Sequence, residues 1–375
     1  MVRYDPEQMY MLAKPIEDEY SELEEWLFLL LVNELLVGNY DTPEEWLLAK
    51  RKQAVIFDRK AQRIINATTQ RVAKKLQTAM NSVEKETNKQ VINDIKNLKR
   101  VTDVPRTNEY KYTKSTKDVL DGYLRAQTIN KVQSVVSELN GSMLNQLHET
   151  YIKQLDEIYK DLSASHITVE KAVQKSMKPI AKDGIKAFTD SAGRKWQADV
   201  YMRTVMRNSI KMYHNDKRMN AFLEQGYTLV IVSEHAGSRP SHYHFQNKVY
   251  SLVEGSKHPH ISETGIGDPA GLLGVNCRHF LMPYVEGMKI QEGRYTAEEN
   301  EKMYEYLQQQ RSYERVMREV KRQAELAKRT GEDELYRTYK RRSRELGSEL
   351  NQTIEKANAE YDDFLRRQRD REKSF

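Results

Sequence analysis

The chain has 375 residues, of which 38% are hydrophobic and 31% charged, with a net charge of +6 and a mean hydropathy of −0.81. That balance argues against one large apolar core and favours long solvated helices that bury a single stripe; the length suggests two or three domains. A single cysteine, Cys277, excludes an intramolecular disulfide, and no stretch approaches the roughly 20 apolar residues of a membrane helix.

The first residues, Met1-Val2-Arg3-Tyr4-Asp5, lack a signal-peptide layout, so synthesis and assembly in a cytoplasm are expected. Charge is unevenly spread. Residues 1–50 are strongly acidic and residues 51–100 clearly basic, with Arg51-Lys52, Lys74-Lys75 and Lys99-Arg100. Two readings stand: solvated helix faces, or a basic surface near nucleic acid with an acidic arm against a protein partner.

A first helix is predicted from Pro6, with Asp5 as N-cap. Met9, Leu12, Ile16, Leu23, Leu27 and Leu30 recur near the helical repeat, and Gly38-Asn39 stops it. Asp41-Thr42-Pro43-Glu44-Glu45 starts another helix, whose apolar face opens at Trp46 and Leu47. Residues 50–100 read as helix throughout, and a break is expected between Val101 and Lys114, around Pro105. From Thr116 helix resumes, with a stripe at Leu144, Leu147, Tyr151, Leu155, Ile158 and Leu162. Thr168-Val169-Glu170 starts a further helix that Gly193 is expected to end, and residues 195–225 look helical.

The character changes at Gly226. Tyr227 to Ser233 is β-branched and apolar and predicts a strand. Residues 234–295 hold six of the nine histidines and a large share of the Gly and Pro, the mark of a compact α+β module. Thr296-Ala297-Glu298-Glu299 has a capping-box pattern. The charged remainder is helical, with a weakly apolar heptad seam at Met303, Tyr306, Gln310, Tyr313, Met317, Val320, Ala324 and Ala327. Gly331 interrupts it, and Leu346, Leu350, Ile354, Ala357 and Tyr361 resume a stripe in another register. Coiled-coil pairing and a helix lying on the body of the protein both fit.

The expected fold is therefore mainly α with a small α+β module: an elongated helical N-terminal region, a compact module and a long C-terminal helix. The expected boundaries are 1–115, 116–194, 195–290 and 291–375.

The specific signal lies in residues 233–287. It comprises Ser233-Glu234-His235-Ala236-Gly237-Ser238-Arg239-Pro240-Ser241-His242, Phe245-Gln246-Asn247-Lys248-Val249-Tyr250-Ser251, Thr264-Gly265-Ile266-Gly267, and Gly271-Leu272-Leu273-Gly274-Val275-Asn276-Cys277-Arg278-His279 followed by Pro283-Tyr284. Cys277 and His279 are two apart and would share one face of a strand. His235, His242 and His244 could approach from the preceding loop, which makes His235, His242, Cys277 and His279 the candidate metal ligands, zinc the candidate ion. The bland reading has the imidazoles bonded to loop carbonyls and Cys277 packed as a small apolar group, with no cofactor. Arg239 and Arg278 could pin carbonyls, and the glycines could serve tight turns. His260 and Glu263 show no evident partner. Paired carboxylates, a Ser-His-Asp order and a phosphate-cradling loop are all missing, so no catalytic residues are expected.

These motifs resemble those of the tailed-phage minor capsid proteins called phage minor capsid protein 2. The closing Asn-Cys-Arg-His and the Pro-Tyr after it are also similar to the ending of the phage Mu F-like head proteins. The resemblance is strongest over about residues 195–290. It implies a structural head protein at the portal vertex, acting in head assembly, DNA packaging or genome delivery. It also implies portal protein and major capsid or other head proteins as partners, several copies per particle, weak nonspecific contact with packaged DNA and no membrane. The motif residues are His235, Gly237, Arg239, His242, Gln246, Gly274, Asn276, Cys277, Arg278, His279 and Pro283. The competing expectation is a metal-dependent nucleic-acid-processing enzyme inside the head. Carboxylates beside the histidines would favour the enzyme; a cluster sealed by Arg and Gly loops would favour the structural role.

Overall fold

A computed structural model describes residues 6–101, 114–165, 167–185, 188–190 and 193–361. The fold is mainly α with a small α+β module. The helices are α1 (Pro6–Leu36), α2 (Pro43–Val101), α3 (Lys114–Ser165), α4 (Val169–Asp183), α5 (Ala198–Glu224), the short α6 (Pro240–Tyr243), α7 (Ala297–Arg329) and α8 (Asp333–Tyr361). Among the described residues, no helix is long and apolar enough to cross a membrane. The expected N-cap Asp5 and the expected break around Pro105 lie outside the described residues.

Chain contacts divide the protein into two compact units, one of residues 17–72, 135–202 and 308–375, the other of residues 1–16, 73–134 and 203–307. In the first, α1 buries Tyr20, Leu23, Leu27, Leu31 and Leu35 and ends ahead of Gly38, whose φ is +103°; Ile16, also buried, belongs to the other unit. The stripe includes Tyr20, Leu31 and Leu35 in place of the expected Leu12 and Leu30, which are half-buried. α2 starts as predicted: Glu45 N donates to Thr42 Oγ1 at 3.2 Å, with Pro43 in the first turn. Lys50 is fully buried and its ammonium donates to the carbonyls of Glu34 and Val37, capping the C-terminal end of α1. The acidic arm meets the basic segment of its own chain, through Glu19–Arg71 at 2.7 Å and Glu34–Lys60 at 2.5 Å.

The burial pattern of α2 explains its length. Ala54, Ile65, Leu76, Thr87 and Leu98 are all buried and recur every eleven residues. An eleven-residue period spans three turns at about 3.67 residues each, close to the natural helical twist, so the buried stripe stays on one side for the whole helix. Thr87 can occupy this stripe because its hydroxyl bonds to Val83 O at 2.7 Å and meets His214 Nδ1 at 2.8 Å.

Two elements depart from expectation. α4 ends at Asp183, capped by Gly184 at φ +72°, ten residues before Gly193. Gly193 instead serves a tight hairpin that pairs β1 (Phe188–Thr189) with β2 (Lys195–Trp196), so α5 starts only at Ala198. Asp190 ties this hairpin by accepting from Arg194 N, Arg194 Nε and Trp196 Nε1. At the C-terminal end, Gly331 (φ +73°) turns the chain between α7 and α8, and the stripe at Leu346, Leu350, Ile354, Ala357 and Tyr361 is buried throughout. Of the heptad positions, Met303, Gln310, Val320, Ala324 and Ala327 are buried; Tyr306, Tyr313 and Met317 are half-buried.

In the second unit, β3 (Leu229–Val232) is the centre of a three-stranded antiparallel sheet, flanked by β4 (Val249–Ser251) and β5 (Leu281–Tyr284). Val230 and Val232 face a core with Phe222, Tyr250, Ile261, Leu272, Cys277 and Leu281, while Ile231 faces the other way with Val249 and Tyr284. Pro283 pairs opposite Val230 on edge strand β5, where a missing N–H is tolerated.

Candidate functional site: the histidine and cysteine cluster

Between α6, β4, a short 3-10 turn and β5, residues 233–287 run as loops and turns. His235 follows β3, His242 lies on α6, and Cys277 and His279 lie on the run leading into β5. Cys277 and His279 precede the strand and are not part of it. They nonetheless face one another, with Sγ 3.3 Å from Nδ1. One donor atom from each of His242, Cys277 and His279 lies within 4.8 Å of the others, and all three residues are buried. The His235 ring lies 4.4 Å from that of His279, tilted against it by 47°. His244 is exposed and lies tilted against Phe245 at 3.9 Å, outside this group.

The rings bond to carbonyls. His242 Nε2 meets Ala270 O at 2.8 Å, His235 Nδ1 meets Ala236 O at 3.1 Å, and His279 Nε2 meets Gln246 Oε1 at 3.2 Å. Burial, which penalises the charged form, holds the pKa of all three below the usual histidine range, His235 at about 3. The Arg278 guanidinium adds to the effect on His235.

Cations and glycines close the loops. Arg239 donates to Ala270 O at 3.4 Å and Val275 O at 3.1 Å. Gly237 has φ +62°, which side chains rarely adopt, and a Cβ there would press on Leu307 Cδ1 at 2.6 Å and on the Met303 carbonyl at 3.3 Å. At Gly274 a Cβ would meet the carbonyl oxygens of Asp268 and Pro269 at 2.5 Å. Asn276 takes φ +57°, which asparagine tolerates, and its N–H donates to Asn208 Oδ1 at 3.1 Å. Arg278 is half-buried.

His260 and Glu263 are partners after all: Glu263 accepts from His260 N at 3.2 Å and the His260 ring caps the same short 3-10 turn. The pairing follows capping-box spacing, with histidine where serine or threonine is usual.

Sequence reasoning missed three supports that come from outside the module's motifs. Lys211 of α5 is buried and donates to Gly274 O at 2.6 Å and Cys277 O at 3.1 Å. Asn208 of α5 holds Asn276. Asn300 of α7 accepts from Ser238 N at 2.8 Å and donates to Ser238 O at 2.9 Å. The visible signal was weak: a lysine and two asparagines on otherwise ordinary amphipathic helices.

The sequence pattern described as phage minor capsid protein 2 matches residues 4–355, and the chain belongs to that family. It is 32% identical over 216 residues to a structural protein of Lactococcus phage LL-H, covering 56% of this chain and 57% of that one. It is 39% identical over 118 residues to a structural protein of Lactococcus phage mv4, covering 31% of this chain and 92% of that one. The chain thus spans little more than half the length of the LL-H relative. No solved structure matches it.

Proposed function

We propose that this minor capsid protein is a non-catalytic connector at the portal vertex of a tailed-phage head. There it contacts portal protein and major capsid or other head proteins, in several copies per particle, and serves head assembly, DNA packaging or genome delivery. Residues 195–290 are its Mu F-like module, set between helical regions at 1–115, 116–194 and 291–375. It is assembled in the host cytoplasm and carried in the virion.

The observation that carries this reading is the sealed loop module. Arg239, Lys211, Gln246 and Asn300 all spend their polar groups on the module's own backbone and rings. That builds a rigid body suited to docking between other proteins. Carboxylates beside the histidines, to move a proton or to share a catalytic ion, would favour the enzyme alternative. Among the described residues, the group of His242, Cys277 and His279 includes no Asp or Glu.

Contact with packaged DNA is the weaker part of the role. Its support is a set of exposed cations on α2 that lie outside the ion pairs above: Lys52, Arg59 and Arg63 in one unit, Lys74, Lys85 and Lys96 in the other.

Mass spectrometry of purified proheads and mature heads tests the assignment, with cryo-electron microscopy to place the chain. Its presence next to the portal is expected. Absence from both kinds of particle, or a location away from the portal vertex, would overturn the reading.

A further inference from the structure

The histidine cluster carries a second layer that fixes where each ring proton sits. The His235 backbone N–H donates to Gln246 Oε1 at 2.9 Å, which orients that amide. The same oxygen faces His279 Nε2 at 3.2 Å, so Nε2 is the protonated nitrogen. His242 Nε2 and His235 Nδ1 each face a backbone carbonyl, so these nitrogens are donors too. A neutral imidazole has one N–H, and in each ring it is already used.

What remains is a set of lone pairs: Nδ1 of His242, Nδ1 of His279 and Nε2 of His235. His235 Nε2 is buried without any hydrogen-bond partner, a costly state for a polar atom. His279 Nδ1 faces the Cys277 sulfur at 3.3 Å. Donor atoms around a tetrahedral zinc stand roughly 3.5 Å apart, given bonds of about 2.0–2.3 Å, so this pair already has ligand spacing. Histidines that bind metals typically donate their other N–H to a carbonyl or carboxylate, which is the arrangement of all three rings here.

We propose that His242, Cys277 and His279 bind a zinc ion, with Gln246 and Ala270 as the carbonyl layer that orients the two rings. Binding releases the Cys277 thiol proton to solvent and leaves a thiolate–zinc bond. The metal ties α6 and the run into β5 at one point, and three protein ligands leave the fourth position to water.

The test uses the full-length chain with zinc chloride and cobalt chloride as probes. Elemental analysis is expected to find a single zinc per chain. Cobalt replacement is expected to give a thiolate-to-metal charge-transfer band, which Cys277→Ser abolishes. Gln246→Ala, which touches no metal, is expected to weaken zinc binding by about 10- to 100-fold. Should Cys277→Ser fail to fold, the cobalt spectrum of the wild-type protein decides alone. A cobalt form without the thiolate band, or zinc held equally well by a folded His242→Ala/Cys277→Ser variant, would overturn the site.

Discussion

The Lys211 ammonium lies 3.1 Å from the Cys277 carbonyl oxygen and 2.6 Å from that of Gly274, so one cation on α5 holds the loop that carries the Asn-Cys-Arg-His motif. Burial lowers its pKa to about 8. Lys211→Met fills similar space without a donor and leaves two carbonyls short of a partner. The expected loss is about 1–3 kcal/mol of stability, read from urea unfolding. An unchanged unfolding midpoint would mean that the loop stands without this contact.

Arg239 spans the carbonyls of Ala270 and Val275 with two nitrogens of one planar group. Lysine places a single charge and cannot reproduce the fork. Arg239→Lys is therefore expected to recover less than half of the stability lost in Arg239→Ala, itself about 1–3 kcal/mol. Arg278→Ala and His279→Ala should likewise lower stability or incorporation into heads. A stable, normally incorporated His279→Ala protein whose particles package or deliver DNA badly would contradict the structural role and reopen the enzyme question.

Much of the architecture could be read from the sequence because its signals are local. The Thr42-Pro43 start of α2, the glycine stops and the β-branched run of β3 each depend on a few neighbouring residues. So does the capping box of α7, where Thr296 N meets Glu299 Oε2 at 2.8 Å. The β1–β2 hairpin escaped because strands of two residues have no period to detect. The eleven-residue stripe of α2 escaped because its positions are filled by Ala, Ile, Leu and Thr alike. The site was half legible. The candidate ligands were named from residue type, and three of them do converge. The partners that fix their protons are mostly backbone carbonyls, which leave no mark in a sequence, while Lys211, Asn208 and Asn300 lie on distant helices.

The cations of α2 offer a separable test of DNA contact. Lys52, Arg59 and Arg63 are exposed, so reversing each to glutamate should shift stability by no more than about 0.5 kcal/mol. Binding to random-sequence duplex, followed by fluorescence anisotropy, is expected to be weak and to fall with salt, with a log–log slope of roughly −0.9 per phosphate contact. The triple reversal should flatten that slope. Binding that ignores salt, or none at low salt, would return these residues to the role of a solvated face.

Glu24 makes a pH prediction that does not involve the cluster. Its carboxyl accepts from Asp199 N at 3.2 Å, and desolvation, with the Asp199 charge beside it, raises its pKa from 4.5 to about 8 against the opposing pull of Arg322. The folded chain therefore keeps this proton where the unfolded chain has lost it. Stability from this group is intact below the unfolded pKa of 4.5, falls as pH rises through the window, and levels off above about 8. Glu24→Gln is neutral at every pH and has no such slope. Its advantage over the wild-type protein should be small at about pH 4.5 and largest above about pH 8. Unfolding midpoints of both proteins at the two ends of that range measure it. An equal difference at both ends would show that Glu24 is ionised in the folded protein and that its neighbours, Arg322 above all, outweigh its burial.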